Sequence, residues 1–62
     1  MTRAYAARQL LRLGPLTLGE FVTCTGWPIA AARKTLAALV EAGQVVYRGN
    51  TQRGVYEVPA HG

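Results

Sequence analysis

Arginine and lysine side chains are the groups in this sequence best suited to binding chemistry. Arg33 and Lys34 are adjacent within a run of small apolar residues, and Arg48 and Arg53 flank a short polar segment. A guanidinium is planar and donates two parallel hydrogen bonds, so it matches a phosphate group or the O6 and N7 acceptors of guanine. The spacing of these four residues therefore indicates binding of a polyanion.

The overall charge agrees with an anionic partner. The formal net charge is +4 at pH 7, and only three residues are acidic. Half of the residues are hydrophobic and 16% are charged, a composition that favours a folded chain over a disordered one. With 62 residues, the chain is expected to form one domain over residues 1–62. A core of this size leaves little room for an enclosed pocket, which typically occupies about 300–1,000 Å³.

The first helix is expected over residues 1–13. Thr2 can cap its N-terminus, and the pair Gly14-Pro15 can end it. At helical spacing its apolar residues predict an inward face composed of Ala6, Leu10 and Leu13, with Ala7 and Leu11 beside it.

Two further helices are expected within residues 17–42, on either side of the turn Gly26-Trp27-Pro28. Thr17 and Glu20 have the spacing of a capping box, in which each side chain accepts a hydrogen bond from the backbone N–H of the other. The third helix, over about 28–42, is expected to direct one apolar face inward, formed by Ala32, Leu36, Leu39 and Val40.

A β-hairpin is expected over residues 44–58. Its strands, 45–48 and 55–58, are rich in β-branched and aromatic residues, and the segment between them is polar. The extended segment 15–17 is a candidate for a short third strand of the same sheet. Residues 59–62 are expected to form a loose tail.

The segments 18–28 and 36–43 share a sequence pattern: a Thr-Gly pair in the turn, a leucine-rich third helix, and Glu-Ala-Gly before the hairpin. This pattern resembles the winged helix-turn-helix of bacterial transcriptional regulators of the IclR and MarR types. The small fimbrial regulators of the PapI type are similar in size. The resemblance implies an α+β fold, in which three helices precede a two-stranded wing.

The resemblance also implies which residues contact DNA. The third helix would enter the major groove, and the wing would contact the minor groove or the phosphates. On the helix the expected DNA-binding residues are Ile29, Ala30, Arg33 and Lys34. On the wing they are Arg48, Asn50, Thr51, Gln52 and Arg53.

Each of these groups also has a purely structural interpretation. Charges on a helix commonly form a solvated face, and a polar loop between two strands is commonly an ordinary turn. The apolar run 29–32 stands where polar base readers often lie, which indicates few base contacts and a larger contribution from DNA shape. Arg3, Arg8 and Arg12 are weaker candidates, with phosphate contact expected for at most one of them.

The aromatic side chains and the single cysteine are expected to be structural. Trp27 should fill the gap between the paired helices, and Tyr47 and Tyr56 should pack on each other across the hairpin. Cys24 is expected to be a buried thiol on the inward side of the second helix, and no intrachain disulfide can form because it is the only cysteine. His61 is expected in the tail.

No catalytic or metal-binding pattern is evident. Glu20 is expected in a cap, Glu41 at a helix end and Glu57 on a strand, so they offer no acid–base pair or metal cluster. We therefore expect neither an enzyme nor a protein that uses a cofactor. The sequence has no signal-peptide core and no run of about 20 apolar residues, which predicts a cytoplasmic, nucleoid-associated protein without membrane contact.

These inferences lead to one expected function and two alternatives. The expected function is sequence-preferring binding of double-stranded DNA by a small prokaryotic or phage transcriptional regulator. A single module buries only about 600–1,000 Å² on DNA, so a homodimer or a cooperative assembly is expected. One alternative is an excisionase-like architectural factor for recombination or replication. The other is a winged helix used for protein–protein interaction.

Overall fold

The computed structural model describes residues 2–50 and 53–59. Three helices are followed by a two-stranded antiparallel sheet: α1 (Arg3–Leu11), α2 (Leu18–Thr25), α3 (Ile29–Glu41), β1 (Val46–Gly49) and β2 (Gly54–Glu57). This is the predicted α+β fold, with its elements in the order of a winged helix. Thr51, Gln52 and the tail residues 60–62, which include His61, lie outside the described residues.

Helix α1 begins directly after the predicted cap, Thr2, and ends at Leu11, two residues before the predicted end at residue 13. The Tyr5 backbone N–H donates to Thr2 Oγ1 at 3.1 Å, so threonine caps the helix as expected. Because the last helical residue is Leu11, Leu13 leaves the helical spacing and lies 86% exposed. The prediction that Leu13 points inward is therefore wrong. The buried residues of α1 are Ala7 and Leu11, so the inward face is rotated from the predicted one.

Hydrogen bonds define both ends of α2. At its start the Glu20 backbone N–H donates to Thr17 Oγ1 at 3.1 Å, and the Thr17 N–H donates to Glu20 Oε1 at 2.9 Å, which confirms the capping box. At its end Gly26 adopts a φ of 72°, a left-handed conformation that glycine reaches without steric cost, and its N–H donates to Val22 O at 2.8 Å. The entry of the chain into the turn before α3 is thereby fixed.

Cys24 lies on an exposed side of α2. The prediction of a buried thiol is wrong, because the inward side of this helix is centred on Phe21, which is fully buried. Thr25, one turn later, continues that side and donates its hydroxyl to Phe21 O at 2.9 Å. Cys24 lies to one side of the Phe21–Thr25 face of the helix, where it lines an open groove with Leu13 and Pro15.

Helix α3 has one buried face and one exposed face. Its buried residues are Ala32, Leu36 and Leu39, at the spacing of an apolar stripe. Val40 was expected with them but is 37% exposed, because each residue advances about 100° around a helix and carries Val40 to the border of the stripe. Val45, just beyond the helix, is only 1% exposed and completes the core.

The hairpin is tied to the helices by one extra bridge. In the hairpin itself Tyr47 opposes Tyr56, and Gly49 opposes Gly54. On the other side of Tyr56, the Leu16 N–H donates to Tyr56 O at 3.1 Å and the Tyr56 N–H donates to Leu16 O at 2.8 Å. The predicted third strand is thus present as a single residue of pairing. These two bonds orient the hairpin relative to the segment that leads into α2.

Trp27 joins the turn between α2 and α3 to the core and to α1. Its ring meets the Phe21 ring edge-on, with centroids 5.5 Å apart, which agrees with the prediction that it fills the gap between the paired helices. The Arg3 guanidinium lies 5.7 Å from the centroid of Trp27, within the range of a cation–π contact. Arg3 therefore has a structural contact of its own.

The helices are short. The longest of those described, α3, has 13 residues, whereas a transmembrane helix needs about 20 predominantly apolar residues. Over residues 2–50 and 53–59, no helix is long and apolar enough to cross a membrane.

Replacing Thr17 with alanine tests the contribution of the capping box. We expect the free energy of unfolding to fall by about 1 kcal/mol, because the Glu20 N–H loses its acceptor. Urea unfolding followed by circular dichroism measures the change. Thr23→Ala is the matched control, since the Thr23 hydroxyl donates to Gly19 O at 3.0 Å inside the same helix and the higher helix propensity of alanine offsets that loss. Equal losses in the two variants would contradict the role of the cap.

Candidate nucleic-acid interface

The exposed face of α3 carries the residues that were expected to contact DNA. Ile29, Ala30, Arg33 and Lys34 are all exposed, and Ile29 exposes 54% of its surface. Ala37 extends this face by a further turn. Three of the five side chains are uncharged, and two of these are alanines, so a flat or convex partner can approach the helix backbone closely. The two basic residues supply the only charges on this stretch of the face.

A cleft lies between α3, the start of α2 and the hairpin. Arg33 lines it from α3, and Arg53 lines it from the loop that leads into β2. Thr17 and Gly19 contribute from the start of α2, and Tyr47 contributes from β1. We call this surface the Arg33–Arg53 cleft. Folding therefore brings two arginines that are distant in the sequence to one surface. A single interface formed by α3 and the wing would require this arrangement.

The Arg33–Arg53 cleft has no acidic side chain among its described lining residues. Glu20 is held in the capping box, and Glu57 is held by an arginine of the hairpin. Glu41 is at the opposite end of α3 from Ile29 and Ala30. The positive charges of Arg33 and Arg53 are thus not neutralised by an acidic side chain among the described residues that line the cleft. A concave surface of one charge sign concentrates its field and attracts anions more strongly than an isolated charge does.

Arg48 is placed differently from the other predicted wing residues. Its Nε–H donates to Glu57 Oε1 at 2.5 Å along the hairpin. Its side chain stays 66% exposed, but it does not line the Arg33–Arg53 cleft. The ion pair holds Arg48 against the hairpin, so it has a structural role in addition to the DNA contact predicted for it.

Asn50 closes the turn at the tip of the hairpin. Its Oδ1 accepts a hydrogen bond from the Arg53 backbone N–H at 2.7 Å, and its N–H donates to Arg53 O at 3.3 Å. The Tyr47 hydroxyl donates to Asn50 O at 2.8 Å. These bonds fix the backbone from which the Arg53 side chain extends. This role of Asn50 was not predicted from the sequence, although asparagine commonly bonds nearby backbone in turns. The neighbouring predicted contacts, Thr51 and Gln52, lie outside the described residues.

Two opposed glycines make room for this arrangement. Gly49 has a φ of 118°, which residues with side chains rarely adopt, and a Cβ there would collide with Arg53 O. At Gly54 a Cβ would collide with the Tyr47 ring. The Tyr47 ring can therefore lie over Gly54 and pack on the Tyr56 ring, with centroids 4.8 Å apart. The packing of the tyrosines was predicted, whereas the requirement for Gly54 was not.

The described part of the chain holds no grouping suited to a metal ion. Over residues 2–50 and 53–59, no three histidine, cysteine, aspartate or glutamate side chains lie together. The acidic residues are dispersed among a helix cap, a helix end and a hairpin ion pair.

The sequence matches no known protein-family model and no curated protein. The function is accordingly inferred from the exposed face of α3, the Arg33–Arg53 cleft and the distribution of charge. All three belong to the part of the chain whose layout is that of a winged helix.

Replacing Gly54 with alanine tests how the tip is held. We expect the free energy of unfolding to fall by about 1–3 kcal/mol, because the new methyl group must displace the Tyr47 ring. That displacement also breaks the hydrogen bond from Tyr47 to Asn50. Urea unfolding measures the loss. Gly19→Ala is the control, since nothing lies within 4 Å of a Cβ there and alanine favours the helix by up to about 1 kcal/mol. An unchanged stability for Gly54→Ala would contradict the packing of Tyr47 on this glycine.

Proposed function

We propose that this protein binds double-stranded DNA and acts as a small prokaryotic or phage transcriptional regulator. In this proposal α3 enters the major groove, and the wing contacts the adjacent minor groove or the phosphates. The observation that carries it is the Arg33–Arg53 cleft, in which arginines from α3 and the hairpin share one surface free of acidic side chains among its described residues. A nucleoid-associated position in the cytoplasm follows from the same proposal.

The composition of the exposed face determines what kind of readout is proposed. Arg33 can donate two hydrogen bonds to a guanine, a contact worth about 1–3 kcal/mol of discrimination. Ile29 can touch a thymine methyl group, and Lys34 can hold a phosphate. Ala30 offers no hydrogen bond, so few bases are read directly. Sequence preference in this proposal comes from a small number of contacts together with DNA shape.

A second candidate function is supported by the apolar part of the same face. Ile29 exposes 54% of its surface at the start of α3, and Ala30 lies beside it. A partner protein that packs on these residues would need little from the arginines. Charge substitutions therefore separate the two candidates, because they weaken DNA binding strongly and apolar packing only slightly.

Replacing Arg33 and Arg53 with glutamine tests the proposed DNA interface. We expect each single substitution to weaken binding to a duplex roughly tenfold or more, because one charge-assisted contact is lost. The slope of log affinity against log salt should become shallower by about 0.9 for each phosphate contact removed. Fluorescence anisotropy of a labelled duplex across a salt series measures both effects.

Arg3→Gln is the matched control for these variants. It removes the same charge from α1, where Arg3 contacts the Trp27 ring and does not line the Arg33–Arg53 cleft. Its effect on affinity should be small. An equal loss in all three variants would mean that binding follows net charge and not this surface. Failure of the folded protein to bind a duplex near physiological salt would overturn the proposal.

We also propose that two copies bind together. Leu13 is 86% exposed and borders a groove lined by Leu10, Pro15 and Cys24, with no charged side chain among its described lining residues. Two copies of a chain with a net charge of +4 repel each other least where neither presents a charge. Because one module covers a limited area of DNA, association through this uncharged groove would double the contact.

Replacing Leu13 with glutamate tests this association. We expect a shift from dimer to monomer in sedimentation velocity, because the introduced carboxylate would have to be desolvated in the contact. Tyr5→Glu is the control, since Tyr5 is also exposed on α1, at 54%, but does not line the groove. A dimer that survives Leu13→Glu and dissociates in Tyr5→Glu would place the contact on α1, away from the Leu13 groove.

A further inference from the structure

A second basic cleft lies between α1 and the end of the hairpin. Arg8 and Arg12 line it from α1, and Pro15 lines it from the linker that follows. Val58 and Pro59, just after β2, form the other wall. None of these residues lines the Arg33–Arg53 cleft. We call this surface the Arg8–Arg12 cleft.

Arg8 has a polar atom that the described protein leaves unsatisfied. Its Nε is buried, and within residues 2–50 and 53–59 it has no hydrogen-bond acceptor. Buried polar groups in folded proteins nearly always have a partner, and those that do not call for an explanation such as a bound ion. The Arg8 side chain as a whole is only half-buried and lines the cleft, so a small ligand can contact its exposed part there, and a slight shift of the side chain would bring Nε to the same ligand.

The charges of the Arg8–Arg12 cleft are also unbalanced. Arg8 and Arg12 are one helical turn apart, and like charges at this spacing repel. Glu57 is the only acidic residue among the described residues of the cleft. Its Oε1 already accepts a hydrogen bond from Arg48, so its charge is shared with a third arginine. An anion placed between Arg8 and Arg12 would relieve the repulsion and supply the missing acceptor.

We propose that the Arg8–Arg12 cleft binds the phosphate group of a small molecule. A phosphate carries close to two negative charges and several acceptor oxygens, so it can accept from both guanidinium groups at once. A carboxylate carries one charge and has fewer oxygens to offer. Because Arg8 is half-buried where it lines the cleft, an anion must enter the cleft to contact it, which suits a small ligand better than the outer surface of a duplex. This site is independent of the proposed DNA interface.

Arginine side-chain signals in a ¹H–¹⁵N NMR spectrum test the proposal directly. Inorganic phosphate is titrated into the protein, with ionic strength held constant by potassium chloride. We expect a saturable shift of the Arg8 Nε–H signal and little change at the Nε–H of Arg33 or Arg53. Non-saturating shifts of similar size at all three arginines would show an adventitious ion only and would overturn the proposal. Acetate in place of phosphate should produce a weaker response.

Two variants assign the response to the cleft. Arg12→Gln should weaken phosphate binding roughly tenfold or more, since a charged hydrogen-bond donor is lost. Arg3→Gln removes the same charge from the same helix without touching the cleft and should leave the affinity unchanged. Backbone signals of each variant report that it is folded. Equal effects of the two substitutions would overturn the proposal.

A short DNA duplex distinguishes the two sources of phosphate. If the duplex shifts the Arg8 Nε–H signal and displaces inorganic phosphate, the cleft belongs to a nucleic-acid surface and the assignment to a small molecule is wrong. If the duplex leaves this signal unchanged while phosphate still shifts it, the small-molecule site is supported. The second result holds whether or not the duplex binds at Arg33 and Arg53, so the two proposals fail separately.

Discussion

The two backbone hydrogen bonds between Leu16 and Tyr56 determine how the hairpin sits on the helices. Leu16 precedes Thr17, which caps α2, so the bonds place β2 beside the start of that helix. The cap in turn fixes α2, and the turn at Gly26 leads directly into α3. These contacts, together with the packing of Tyr56 and Val58 against the core, set the position of Arg53 relative to Arg33. Pairing at a single residue is thus one of the contacts on which the Arg33–Arg53 cleft depends.

Small size makes such local contacts more important than they would be in a larger protein. A chain of 62 residues buries a limited share of its apolar surface, so the core offers little redundancy. The hairpin tip compensates with bonds of its own, from Tyr47 to Asn50 and between Asn50 and Arg53. The bonds between Asn50 and Arg53 hold the backbone from which the Arg53 side chain extends into the Arg33–Arg53 cleft. The stability of these contacts and the shape of the cleft are therefore linked.

Several parts of the fold that the sequence predicts correctly are set by local hydrogen bonds. Thr2 and Thr17 cap helices because their partners lie three residues away. The predictions for Leu13 and Cys24 failed because burial depends on which neighbouring element covers a face, and helical spacing alone does not contain that information. The exposure of Ile29, Arg33 and Lys34 on α3 could be predicted from spacing. The meeting of Arg33 with Arg53 in one cleft, the pairing of Arg48 with Glu57 and the need for Gly54 depend on tertiary geometry.

The basic residues repel one another in the free protein, and bound anions would reduce this repulsion. Arg33 with Arg53, and Arg8 with Arg12, are held as two separate groups on a chain with a net charge of +4. The two positive charges in each group repel each other, and this repulsion destabilises the compact state. An anion that binds only the folded chain stabilises it by mass action, and salt screens the same repulsion over about 10 Å at 0.1 M. Because the clefts share no lining residue, an anion in one leaves the local repulsion in the other largely in place. The repulsion within each cleft therefore affects stability almost independently, and an anion bound in one cleft would relieve the repulsion there alone.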